Sequence, residues 1–249
     1  MENFKLLSEK TRSIIELSFS SFLFRLLKEP VYSLFCNKPS NILPEDCLQG
    51  KIIIINLPVK QFHKIGRDCQ ILFKYIWQRT MEKRNVGEHP RPVFLWADEA
   101  QNFIHEHDTD FQATARSSRI ATVYITQNLP NYLSNMGGHR SESRVKSFLG
   151  TLATKIFHAN ADIDTNEYAS KLFGERYSED LSRSVGTAKD NISRTISYSL
   201  ERVARPDVFP ALATGGPNNN HVVEGYVHKQ GWPLLANPKN YKIKFTQKN

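Results

Sequence analysis

Val93-Phe94-Leu95-Trp96-Ala97-Asp98-Glu99 is a run of five apolar residues followed at once by two acids. A short run of this kind is the mark of a strand covered on both faces, as in a parallel sheet flanked by helices. Side chains at the carboxyl end of such a strand meet the ligand crevice of an open α/β sheet. Asp98 can therefore hold the water shell of Mg²⁺, and Glu99 can polarise a water that attacks a γ-phosphate. The same residues also fit a buried strand whose next two residues are acidic only because they form a turn. What favours the phosphate reading is the next strand, Ile120 to Thr126, which ends in Gln127 with Asn128 behind it.

Working outward, the chain alternates strands and helices. Lys51 to Leu57 presents four successive isoleucines between Gly50 and Pro58, the pattern of a buried parallel strand. Ile65, Cys69, Leu72 and Ile76 then recur at helical spacing, with Lys74, Arg79, Lys83 and Arg84 on the opposite positions. Further helices are expected near Asp110 to Arg116, from Pro130 to Gly137, and from a capping box at Asp164 and Glu167 to Gly174. Strands are expected at Lys155 to His158 and His221 to His228. Upstream, Ile15, Phe19, Phe22 and Leu26 predict an amphipathic helix within Glu9 to Leu27 with one buried face. Tyr177 to Leu200, rich in Ser, Arg and Asp, reads as a mobile or partner-facing insertion, and Thr214 to Asn220 as a turn. The implied division is a helical segment over 1–43, an α/β core over 44–174 with a mainly parallel sheet, and an insertion, turn and basic tail over 175–249.

Lys and Arg outnumber Asp and Glu by 33 to 25, and the 24 residues from Tyr226 to Asn249 hold five lysines and no acid. That surplus favours a polyanion as partner. Three cysteines, 11 and 22 residues apart, match neither a zinc spacing nor a disulfide framework and point to a reducing compartment. The N-terminus lacks the features of a signal peptide, and the apolar stretch from Ile14 to Leu27 is interrupted by Glu16, Arg25 and three serines, so no membrane span is expected.

Phe94 to Gln101 (FLWADEAQ), Ala115 to Arg119 (ARSSR), Val123 to Gln127 (VYITQ) and Arg205-Pro206-Asp207 together resemble the C-terminal part of the TraG/TraD coupling ATPases of type IV secretion. The resemblance runs loosely from Pro44 to the end and is specific over Arg91 to Tyr132. It implies a RecA-like P-loop NTPase core whose ring, a homo-hexamer, uses ATP and Mg²⁺ to move single-stranded DNA and relaxosome proteins into a secretion channel at the inner membrane. Carried over by position, Asp98 resembles the Walker B acid, Glu99 the catalytic glutamate and Gln127 the sensor glutamine. Arg116, with Arg119 as its competitor, resembles the arginine finger that completes a neighbouring subunit's site.

One departure is large. The sequence contains no G-x-x-x-x-G-K-[ST] phosphate loop, since Gly50-Lys51 lacks the upstream glycine and the following Ser or Thr. The chain is thus expected to be a fragment, a split-gene product or a degenerate relative that needs a loop-bearing partner. A non-catalytic docking domain that binds a relaxosome protein or DNA is the alternative. His105 to Asp110 holds five potential metal ligands in six residues but reads as a solvated loop, because consecutive side chains cannot all converge on one ion. Trp232, Tyr241 and Phe245 in the basic tail fit either base stacking or anchoring of a terminal strand to the core. A serine hydrolase is excluded by the lack of a G-x-S-x-G elbow.

Overall fold

The apolar run before Asp98 forms strand β1 (Val93–Ala97), which pairs in parallel with β2 (Ile120–Tyr124), Val93 opposite Ile120 and Ala97 opposite Tyr124. The computed structural model describes residues 4, 6–36, 39–136, 141–185, 192–231 and 241–247. They fall into two units, Met1–Ile125 and Thr126–Asn249.

In the first unit, helices α1 (Glu9–Leu26) and α2 (Val31–Phe35) precede a 3₁₀ turn at Pro44–Gln49 and the long helix α3 (Val59–Lys83). Helix α3 crosses over to β1, and α4 (His107–Thr114) crosses from β1 to β2. Trp77 and Met81 of α3, Val93, Phe111, Ala115 and Ile120 form its main core. A smaller cluster joins Val31, Leu57 and Cys69. The buried stripe of α3 runs through Cys69, Trp77 and Met81, whereas Leu72 and Ile76 are exposed by 41% and 45%. Lys74, expected on the solvent face, is buried instead because it has an acidic partner there.

Two expectations for this unit are corrected. Helix α1 forms, with the Ser8 side chain accepting from Thr11 N, but none of its residues is buried. Residues 51–57 belong to no strand; Leu57 turns inward while Ile52 and Ile54 are 87% and 81% exposed. Strand β1 alternates in the same way, Val93 and Ala97 buried and Phe94 and Trp96 each 68% exposed. The physical reason is shared: one face packs on the helical core, and among the described residues no layer covers the other.

The second unit begins with helices α5 (Leu129–Met136) and α6 (Ser141–Thr151), followed by strand β3 (Thr154–Phe157) and helix α7 (Ile163–Phe173). Gly137, expected to close α5, lies outside the described residues. Asp162 rather than Asp164 caps α7, its carboxylate accepting from Thr165 N at 2.8 Å. Strands β4 (Glu175–Val185) and β5 (Ile192–Arg202) form an antiparallel ribbon within the stretch expected to be a mobile or partner-facing insertion, where no strands were expected. Alternation explains it: Tyr177 lies opposite Leu200 and Glu179 opposite Tyr198, a period-2 pattern hidden by the surrounding serines. Strands β6 (Val222–Lys229) and β7 (Lys242–Thr246) complete an antiparallel sheet in the order β3-β6-β7. Its inner face meets Phe173, Phe209 and Tyr241, which are all buried.

The architecture is therefore α/β, but the mainly parallel sheet is not found. Among the described residues parallel pairing is confined to β1 and β2; β4 with β5 and β6 with β7 are antiparallel neighbours in sequence without crossover helices, and β3 pairs antiparallel with β6.

Candidate functional site

Backbone bonds place the acidic pair. Ile125 N donates to Ala97 O at 2.9 Å, and Ala100 N donates to Ile125 O at 2.8 Å. The chain thus leaves β1, turns through Asp98 and Glu99, and is clasped on both sides of that turn by the same residue just beyond β2. Glu99 sits in the left-handed region at φ 49°, a conformation that costs a side-chain-bearing residue on the order of 1–3 kcal/mol and tends to mark functional turns. Its backbone N donates to Asp98 Oδ1 at 3.0 Å, and its carboxylate Oε2 accepts from the side-chain amide of Gln101. Asp98 is exposed and Glu99 half-buried. Both border a groove of about 1000 Å³ that runs along β1 past Phe94 and Trp96 toward Lys51 and Arg91.

Behind the turn lies a polar network that the sequence did not announce. Asp108 is fully buried, so the stretch from His105 to Asp110 is not simply a solvated loop. Its carboxylate accepts from Lys74 Nζ at 2.5 Å, Gln78 Nε2 at 2.7 Å and His105 N at 2.7 Å. Lys74 also donates to Phe103 O at 2.6 Å, so α3 holds the chain just beyond the acidic turn. Burial pushes the Lys74 ammonium below its usual range, against the opposing pull of Asp108. Among the described residues, no group of three or more His, Cys, Asp or Glu side chains is placed to hold a metal ion.

Arg116 lies in the turn before β2, at the opposite end of the strands from Asp98 and Glu99. The structure does not bring it to the acidic turn of its own chain. Arg84, missed in the sequence, fixes the Arg116 turn by donating to Ser118 O at 3.0 and 2.5 Å and to Arg119 O at 3.1 Å. Arg119, at φ 49°, is engaged locally, its guanidinium donating to Pro90 O at 2.9 Å. Arg116 is exposed, and its guanidinium has no hydrogen-bond partner among the described residues. Of the two, Arg116 is the one whose guanidinium is not tethered among the described residues. Gln127 is exposed and belongs to the second unit, where its carbonyl accepts from Asn160 Nδ2 at 2.6 Å.

In the basic tail, Tyr241 is buried in the core of the second unit, while Phe245 contacts the ring of His158. Tyr241 thus anchors the terminal strand. Trp232 lies outside the described residues. Lys242, on the same sheet, is engaged by Glu224 at 3.0 Å, which holds the Glu224 carboxyl below its usual range. No helix among the described residues is long and apolar enough to cross a membrane.

Residues 92–213 match the family model described as the TraM recognition site of TraD and TraG. Two solved structures of the bacterial conjugative coupling protein TrwBdeltaN70 are similar, each at 16% identity. The unbound monoclinic form aligns with a TM-score of 0.47 over 62% of this chain, and the trigonal form in complex with sulphate with 0.46 over 70%. The chain spans about a third of their length, 32% and 34%. No curated protein matches the chain in sequence. Residues 92–213, just under half of the chain, thus carry the domain described as the TraM recognition site of TraD and TraG.

Proposed function

We propose that this chain supplies the acid-bearing part of a RecA-like ATPase core in a conjugative coupling assembly that acts on single-stranded DNA and its relaxosome proteins. The observation that carries the reading is the clasped Asp98–Glu99 turn at the carboxyl end of a parallel strand, inside the family-matched stretch. In this reading residues 44–174 are the core half, 1–43 a helical extension and 175–249 an appended sheet and tail. The working form is a ring, a homo-hexamer or an assembly with a chain that bears the phosphate loop, held at the inner membrane beside the secretion channel through its partners.

The acidic turn fits Mg²⁺ in a restricted way. Two carboxylates with no third metal-binding side chain beside them among the described residues suit an ion held through water and phosphate oxygens, not a full protein ligand set. When bound with ATP, such an ion offsets phosphate charge as the phosphoryl group transfers. Asp98, exposed at the turn, orients the ion's water shell. The Glu99 carboxylate accepts the proton of the attacking water. Gln127 senses the terminal phosphate, and Arg116 reaches a neighbouring subunit's site. The backbone nest and lysine that position the β- and γ-phosphates must come from a loop-bearing segment, because this sequence has no such motif.

The experiment is phosphate release by the chain alone and by the chain co-expressed with a segment carrying G-x-x-x-x-G-K-[ST]. The chain alone is expected to show no motor-like turnover. The complemented assembly is expected to hydrolyse ATP, to be stimulated by single-stranded oligonucleotides in a manner that falls steeply with salt, and to lose turnover in Glu99→Gln. Turnover of the chain alone that disappears in Glu99→Gln overturns the need for a partner. Silence of the complemented assembly favours the second reading, a non-catalytic domain that docks a relaxosome protein, which the TraM recognition match supports independently.

A further inference from the structure

Gln101 follows the acidic pair in sequence and shares none of its exposure. It lies in the 3₁₀ turn Ala100–Asn102 and is 6% exposed. Its Nε2 donates to Glu99 Oε2, which spends the donor end of the amide on a half-buried carboxylate two residues away. Its Oε1 is buried and has no hydrogen-bond partner among the described residues.

A buried glutamine that served the fold alone would satisfy both ends of its amide, since an orphaned buried acceptor is unfavourable. Two residues earlier, the left-handed backbone of Glu99 adds a second unfavourable feature. Two such departures within three residues are not what stability selects, and they coincide where a carboxylate must be held at one angle. The acceptor end cannot be the group facing Glu99, because two oxygens would repel, so the amide orientation is fixed by the chemistry of the pair.

We infer that Gln101 is the positioning residue for Glu99: its side-chain amide pins one carboxylate oxygen and so fixes the direction in which Glu99 meets a water beside the groove. This rests on the reading of Glu99 as the proton acceptor. Gln101 touches no reacting atom and acts only through Glu99. The turn's clasp by Ile125 fixes the backbone, and Gln101 fixes the side chain that the backbone carries.

Two measurements test it separately from the ATPase reading. In the isolated chain, the ¹⁵N–¹H resonances of the Gln101 side-chain amide are expected to shift on Glu99→Ala and to stay in place on Asn102→Ala. In the complemented assembly, Gln101→Met, which fills the buried volume without a donor, is expected to lower kcat about 10- to 100-fold with KM for ATP unchanged. Adding Gln101→Met to Glu99→Gln is expected to cost nothing further, because a positioning residue has no role once its carboxylate is gone. An amide signal indifferent to Glu99→Ala, or additive losses in the double variant, overturns the assignment. If the complemented assembly is silent, the ATPase reading fails while the amide signal still decides whether Gln101 holds Glu99.

Discussion

Replacing Arg116 with alanine in the loop-complemented assembly is expected to lower ATP turnover by about 10³- to 10⁵-fold while leaving nucleotide binding largely intact. The expectation follows from where the residue stands. Strands β1 and β2 run in parallel, so the turn before β2 and the turn after β1 lie at opposite ends of the pair, roughly 15 Å apart at about 3.3 Å per residue. Arg116 therefore lies away from the acidic turn of its own chain, and the role proposed for it is across a subunit boundary. Arg84 anchors its turn through the Ser118 and Arg119 carbonyls, and Arg119 is itself bonded to Pro90, which leaves Arg116 as the guanidinium without a hydrogen-bond partner among the described residues. A planar guanidinium binds phosphate oxygens in bidentate fashion as charge develops, which a lysine does less well. Mixing Arg116→Ala subunits with Glu99→Gln subunits is expected to restore part of the activity, because some interfaces then pair an intact finger with an intact glutamate. Mixed rings that form and stay inactive contradict a role across the subunit boundary.

The second large effect is on folding. Asp108→Ala leaves the Lys74 ammonium buried with one backbone carbonyl as its remaining partner, and removing one member of a buried ion pair costs about 3–5 kcal/mol. Urea unfolding followed by tryptophan fluorescence should show that loss, since Trp77 lies in the same core. The double replacement Lys74→Met with Asp108→Leu removes both charges and is expected to recover most of the stability. Equal losses in the single and the double variant contradict the view that the cost comes from an uncompensated charge. Because Lys74 also holds Phe103 O, the double variant is expected to loosen the segment after the acidic turn.

The strands that matter most were legible because their signal is local. Five apolar residues with two acids behind them define β1 and the acidic turn, and β2 with its approach from Ala115 to Arg119 falls where the sequence places it. The Glu99 clasp and the Gln101 contact were not legible, since they depend on a backbone turn and on burial that periodicity does not report. Lys74 was assigned to solvent because helical spacing alone puts it opposite Ile65, Cys69, Leu72 and Ile76. Its burial depends on Asp108, 34 positions on, and so is a tertiary fact. The four isoleucines from Ile52 to Ile55 predicted a strand covered on both faces, yet coverage belongs to neighbouring layers and not to the strand. The β4–β5 strands were not legible within the expected insertion because serine-rich strands carry a weak hydrophobic alternation.

The central claim is that the Asp98–Glu99 turn receives a divalent ion together with nucleotide. Its most direct test replaces Mg²⁺ with paramagnetic Mn²⁺ in the complemented assembly bound to a non-hydrolysable ATP analogue, with the backbone amide signals of this chain as the readout. Nucleotide-dependent broadening is expected to centre on Asp98 and Glu99 and to disappear in Asp98→Ala. Broadening that leaves those two amides sharp, or that persists unchanged in Asp98→Ala, contradicts it.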